Sequence, residues 1–253
     1  MNKKIVLITG AGKGLGLIIS RRLVSYGYKV YGTYLKSNTN FVKGVTYFKL
    51  DITSDYQCKS LVENIMKIEK RIDILINCAG ISVSKPTLDF SPREFNKVLD
   101  TNVVGAFRMI QSVQNCGPSF IINISSLCGF LSLPNFGVYS ASKFGLEALS
   151  SSLNFELASK TRVVTISPGA LLNENSAKRM AHKPLREKIP LLNHIIPLTS
   201  MDQVANVIYR VISGDITASR VIVGRDAKII YLIQKIFPES IFRKIILFIW
   251  QRK

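Results

Sequence analysis

The chain has 253 residues, of which 47% are hydrophobic and 20% charged, a balance that excludes disorder, collagen-like repeats and low complexity. That length is usual for one α/β domain with a large core. Lysine and arginine (34) outnumber aspartate and glutamate (16) for a formal charge of +18, which points to an anionic partner: a phosphorylated cofactor, a membrane surface or nucleic acid.

In chain order, the first apolar run, Ile5-Val6-Leu7-Ile8 after Lys3-Lys4, is too short for a secretory h-region and reads as a buried strand over 5–9. Thr9-Gly10-Ala11-Gly12-Lys13-Gly14-Leu15-Gly16 follows, then a helical pattern over 15–26. Glycines at a strand-to-helix junction let backbone approach a pyrophosphate, and a helix N-terminus offers free N–H groups and positive dipole. The alternative is a glycine-rich turn serving only chain reversal. The P-loop pattern fails at Leu15 and GxGxxG fails in both registers; TGxxxGxG fits, through Gly10, Gly14 and Gly16.

Further strands are expected over 29–34, 46–50, 74–77, 120–125, 163–167 and 221–223, and helices over 55–70, 91–115, 139–160 and 201–213. Ser91-Pro92 is a helix start, and Thr199-Ser200-Met201-Asp202 offers another. Strand–helix alternation predicts a doubly wound parallel sheet in three αβα layers, one Rossmann-type domain with its ligand beyond the carboxyl ends of the strands. Cys58, Cys78, Cys116 and Cys128 fit neither a metal clip nor a disulfide framework and read as reduced thiols of a cytoplasmic protein. His182 and His194 are isolated, so no metal site is expected. No stretch reaches the roughly 18 uncharged apolar residues of a membrane span.

More landmarks recur in order: Asn77-Cys78-Ala79-Gly80, Thr101-Asn102-Val103, Ile124-Ser125-Ser126, Tyr139-Ser140-Ala141-Ser142-Lys143 and Ser167-Pro168-Gly169. With the glycine loop, this set resembles the short-chain dehydrogenase/reductase family over residues 3–225. The resemblance implies hydride transfer between a nicotinamide cofactor and a carbonyl or secondary alcohol. It places the catalytic tetrad on Asn102, Ser126, Tyr139 and Lys143, with Ser125 the second choice for the serine. The chemistry suits these types. A free tyrosine titrates near 10, and the charge of Lys143, one turn on along a helix, together with the positive oxidised nicotinamide, is expected to lower that value; its amine is also expected to hold the nicotinamide ribose. Ser126 is expected to hydrogen-bond the substrate oxygen, and Asn102 to bind a water linking Lys143 to solvent.

The same resemblance puts Thr9, Gly10, Gly12, Lys13, Gly14, Leu15, Gly16, Asn77, Ala79, Gly80, Pro168, Gly169 and Leu171 at the cofactor, with Tyr139 and Lys143. Asn173 stands where the family often has a threonine contacting the carboxamide. Asp51 and Ile52 match the adenine contacts, with Asp51 as a cap of the following helix the rival reading. At the end of the second strand, where an NAD enzyme carries an acid, Tyr34 stands instead. Lys13 and Lys36 are placed to meet a 2′-phosphate, with Thr33 and Ser37 adding hydroxyls, so NADP is favoured over NAD. A non-catalytic dinucleotide sensor or scaffold is the alternative function, and nucleic-acid binding rests on charge alone, so no nucleic-acid partner is expected.

The domain is assigned to residues 1–227, with an apolar, proline-containing lid over 171–197 that suggests a hydrophobic or lipid-like substrate, or a lid packed on its own body. Residues 228–253 read as a basic amphipathic helical tail: an interfacial helix on an anionic membrane, a helix over the active site, or a dimer-forming helix. A homodimer or homotetramer is expected.

Overall fold

The computed structural model describes residues 3–36, 41–171, 198–242 and 244. Seven parallel strands form its sheet: β1 (Ile5–Ile8), β2 (Lys29–Tyr34), β3 (Val45–Lys49), β4 (Ile74–Asn77), β5 (Phe120–Ile124), β6 (Arg162–Pro168) and β7 (Arg220–Val223). Their order is β3-β2-β1-β4-β5-β6-β7, so the winding reverses between β1 and β4. Loops leaving those two strands part to opposite sides and open a crevice at their carboxyl ends.

The short apolar runs form strands because both their faces are buried. In β1, Val6 and Ile8 point to one side, against Ile19 and Leu23 of α1 (Gly14–Ser25) and Ile208 of α6 (Met201–Ser213). Ile5 and Leu7 point to the other, against Ile65 of α2 (Asp55–Glu69) and Met109 of α4 (Gly105–Val113). Each such side chain stabilises the fold by about 1.5–3 kcal/mol. Tyr26 and Tyr209 stack at 3.8 Å and close the outer end of the α1–α6 pair.

Both expected helix starts carry capping boxes. Ser91 with Glu94 opens α3 (Pro92–Leu99), and Ser200 with Gln203 opens α6. The single helix expected over 91–115 is a departure. It is split by a π turn over Asp100–Val104, where the Gly105 N–H donates to the Asp100 carbonyl five residues back. Such turns shift the facing of side chains locally and occur often at functional sites. α5 spans Gly137–Glu156 and α7 spans Arg225–Ile236. A third apolar cluster joins Ala227 of α7 and Phe242 to Leu127, Phe130 and Leu131, which follow β5. Among the described residues no helix is long and apolar enough to cross a membrane, and no cluster of three metal-ligating side chains occurs.

Candidate active site

The crevice is a cleft of about 2350 Å³ that runs from the glycine loop to the first turns of α5. That is larger than the ~300–1,000 Å³ of ordinary small-molecule pockets and has room for a dinucleotide beside a substrate. At one end the loop after β1 is shaped by backbone. Gly10 has φ +69°, and a methyl group on it would lie 2.8 Å from Ala79 Cα. A methyl group on Gly16 would lie 2.3 Å from the Gly10 carbonyl oxygen. These glycines are set by close approach of loop to helix and of loop to the segment after β4. Beside Gly14 the space is open, and the first turn of α1 holds no acidic residue, so its N–H groups face the cleft unopposed. Gly12, Lys13 and Leu15 line the same wall. The loop therefore fits a pyrophosphate.

Thr9 is different. Its side chain is buried and accepts from the Cys78 and Ala79 amides at 3.0 and 3.1 Å, so it ties the two loops together and does not line the cleft. Asn77 is also behind the wall: its amide donates to the Asn123 side chain at 2.9 Å and to the Ala106 carbonyl at 3.3 Å. Both support the cleft-lining loops from beneath. Thr33 Oγ1 accepts from the Gly10 amide at 3.3 Å.

On the side of the cleft beyond β2 and β3, Tyr34, Lys36, Asp51 and Ile52 line it with Lys13, and both lysines are exposed. Asp51 is not the helix cap. Its carboxylate accepts from the amide and hydroxyl of Thr53 at 2.9 and 2.7 Å, and Ser54 caps α2. Ser37, Asn173, His182 and His194 lie outside the described residues.

At the other end the polar groups are side chains. Tyr139 stands in the first turn of α5, with its phenol facing the Ser126 hydroxyl. Ser126 sits in extended backbone just past β5, where it also accepts from the Cys128 amide at 3.2 Å. Ser125 points the other way: a methyl group on Gly129 would lie 2.5 Å from its Oγ, and that oxygen is buried without a hydrogen-bond partner. Alternation along the chain thus gives the tyrosine to Ser126. Lys143 is buried one turn along α5; its ammonium donates to the Ile124 carbonyl at 2.8 Å and lies 5.7 Å from the Tyr139 ring centre.

Burial opposes the lowering of the Tyr139 pKa that is expected from Lys143 with the oxidised nicotinamide. It pushes the phenol up to about 12, against the opposing pull of the Ser126 hydroxyl. The same burial pushes Lys143 down to about 8, and its charge is turned towards the Ile124 carbonyl. The Asn102 side chain is engaged with protein groups. Ile81 N–H donates to its oxygen at 2.8 Å, and its amide donates to the Ile81 carbonyl and to Ser142 Oγ, both at 2.9 Å. Ser142 in turn donates to the Tyr139 carbonyl at 2.7 Å. Asn102, held in the π turn, therefore positions the loop after β4 and the start of α5 relative to each other.

The geometry matches what is known of other proteins. A family model described as short chain dehydrogenase matches residues 4–184. The chain belongs to the short-chain dehydrogenase family. It is 34% identical over 174 residues to the 3-ketodihydrosphingosine reductase of Bacteroides thetaiotaomicron, a match covering 67% of this chain and 64% of that protein. It is 33% identical over 181 residues to the 3-oxoacyl-[acyl-carrier-protein] reductase FabG of Salmonella typhimurium, covering 66% of this chain and 72% of that one. Among solved structures, ElxO with NADP bound superposes with a TM-score of 0.76 at 25% identity, over 88% of this chain and 97% of that one.

One residue of the site was missed in the sequence. Asp226, buried at the start of α7, accepts from the Ala170 amide at 2.7 Å and from Thr199 Oγ1 at 2.9 Å. It fixes the backbone of Pro168, Gly169 and Leu171, which forms the cleft floor beside Tyr139. An Asp in the first turn of a helix is a sequence signal for a cap; its reach to residues 170 and 199 is not.

Proposed function

We propose that this chain is an NADP-dependent oxidoreductase that transfers a hydride between the nicotinamide and a carbonyl or secondary alcohol of a hydrophobic, lipid-like substrate. The single observation that carries this reading is the meeting of Tyr139, Ser126 and Lys143 at one end of a cleft whose other end is a glycine loop on a helix N-terminus. When bound, the nicotinamide supplies or accepts the hydride. The protein's own groups do the rest. In reduction, Tyr139 gives its phenolic proton to the substrate oxygen as negative charge develops there; its high pKa keeps that proton in place in the resting protein. Ser126 donates to the same oxygen and aligns it. Lys143 would present its ammonium to the ribose, and its charge stabilises the phenolate left on Tyr139. The floor held by Asp226 keeps the ring face of the cleft fixed.

NADP is preferred over NAD in this reading because Lys13 and Lys36 flank the adenine side and Tyr34 stands where an acid would repel a 2′-phosphate. The apolar substrate is supported by Leu127, Leu133 and Phe136 beside Tyr139 in the cleft lining, and by the leucine- and isoleucine-rich sequence over 171–197. The ketodihydrosphingosine reductase is named for such a substrate. A homodimer or homotetramer is supported by Phe107 on α4 and Phe144 and Phe155 on α5, all exposed. The free thiols of Cys58, Cys78 and Cys116 support a cytoplasmic setting. The test is NADPH oxidation against paired ketones with long apolar or short polar chains. Consumption with the long-chain ketones supports the reading, and turnover confined to the polar ones overturns its substrate half. Absence of turnover with any carbonyl overturns it entirely.

A further inference from the structure

We infer that the outer face of α7, with Phe237 and Ile241 beyond it, docks on an anionic lipid bilayer, with the helix lying in the plane of the surface. The inner face of α7 is accounted for: Ile230, Tyr231 and Ile233 pack with Ala227 on Leu127, Phe130 and Leu131, and Gln234 donates to the Phe130 carbonyl at 2.8 Å. The outer face is not. Leu232 (59% exposed) and Ile236 (63%) stand one turn apart, and Phe237 and Ile241 (43% each) continue the patch. Exposed basic residues frame it: Lys228, Lys235 and Lys244. The Lys235 ammonium is held 5.1 Å from the Tyr231 ring centre, at the edge of the patch.

Charge decides between lipid and a second copy of the chain. Residues 225–253 contain seven basic residues and two acidic ones, Asp226 and Glu239, of which Asp226 is buried and engaged. A two-fold interface would set this patch against itself and bring the lysines face to face. An anionic bilayer accepts the apolar residues and the lysines together. The apolar residues of α7 are divided between a packed face and an exposed one, so the helix suits the interface, not a span. In sequence, eight of the ten residues over 241–250 are apolar, ending in Trp250, the single tryptophan of the chain. The inner face of α7 rests on the loop after Ser126, so docking would bring that wall of the cleft to the lipid. The inference concerns the surface alone and stands whatever substrate the cleft takes.

The experiment uses the full chain with two kinds of vesicle: phosphatidylcholine alone, and equal parts phosphatidylcholine and phosphatidylglycerol. Sedimentation at low salt should recover the protein with the anionic vesicles, with a blue shift of Trp250 fluorescence, and high salt should weaken both. L232E/I236E should lose about tenfold or more of that partitioning, and K228E/K235E a similar amount, with NADPH binding unchanged as the check on folding. Wild-type protein left in the supernatant with no Trp250 shift overturns the inference. So does equal binding to neutral vesicles, or a dimer that ignores vesicles and becomes monomeric in L232E/I236E.

Discussion

The two ends of the cleft are made from opposite materials. The glycine end is built by leaving side chains out: loop, helix start and the segment after β4 approach until a single methyl group at Gly10 or Gly16 would strike backbone. The tyrosine end is built by burying polar side chains, Asn102, Ser142, Lys143 and Asp226, and pairing them with backbone groups and with each other. Substitutions at the first end therefore act by steric exclusion, and at the second by charge and proton position.

The largest effect should come from Tyr139→Phe, which keeps the ring and deletes the proton. NADPH oxidation should fall by about 10²–10⁴-fold while NADPH binding, followed by its fluorescence, stays within a factor of a few. Near-normal turnover would remove the assignment of the tyrosine end. Next, Gly16→Ala should weaken NADPH binding by about tenfold to a hundredfold, because the methyl group meets the Gly10 carbonyl at 2.3 Å and forces the loop outward. Denaturant unfolding of the same variant should show a loss of about 1–3 kcal/mol. An unchanged affinity would mean that the loop yields at no cost and that the contrast between the ends is false.

A smaller change is expected from Lys13→Ala with Lys36→Ala. Both side chains are exposed, so solvent screens them, and the preference for NADPH over NADH should fall by about tenfold. Equal losses for the two cofactors would show that neither lysine reads a 2′-phosphate.

The most delicate test is the pH dependence of stability. Lys143 titrates near 8 in the folded chain against 10.5 unfolded, so the unfolded state holds more protons between those values. Its contribution to stability rises with pH across that window and is lost as pH falls through about 8. Tyr139 titrates near 12 folded against 10.0 unfolded, so its contribution falls as pH rises above about 10. Urea unfolding across pH 7 to 11 should show that Lys143→Met removes the rise and Tyr139→Phe removes the later fall.

The sheet and most helices were legible because apolar runs and caps are local: β1, β4 and the starts at Ser91 and Ser200 are readable from a few neighbouring residues. The gathering of Tyr139, Lys143 and Ser126 at one end of the cleft was legible through family resemblance and helical spacing. The π turn was not, since moving a hydrogen bond from the fourth to the fifth residue leaves no mark on composition. The partners of Asn102 lie 21 and 40 positions away, and those of Asp226 56 and 27. Such distances carry no periodic signal.

The Asp226 carboxylate has a consequence for how this chain can vary. It occupies the place where a side chain on Gly169 would go, within 2.1 Å of a methyl group there. Position 169 thus stays free of a side chain for as long as position 226 keeps its carboxylate, and the Ala170 amide stays paired only under the same condition. Two sites 57 positions apart are then a single unit of inheritance: Gly169→Ala alone is blocked, Asp226→Ala alone strands the amide, and the two together lift the block but leave the amide stranded.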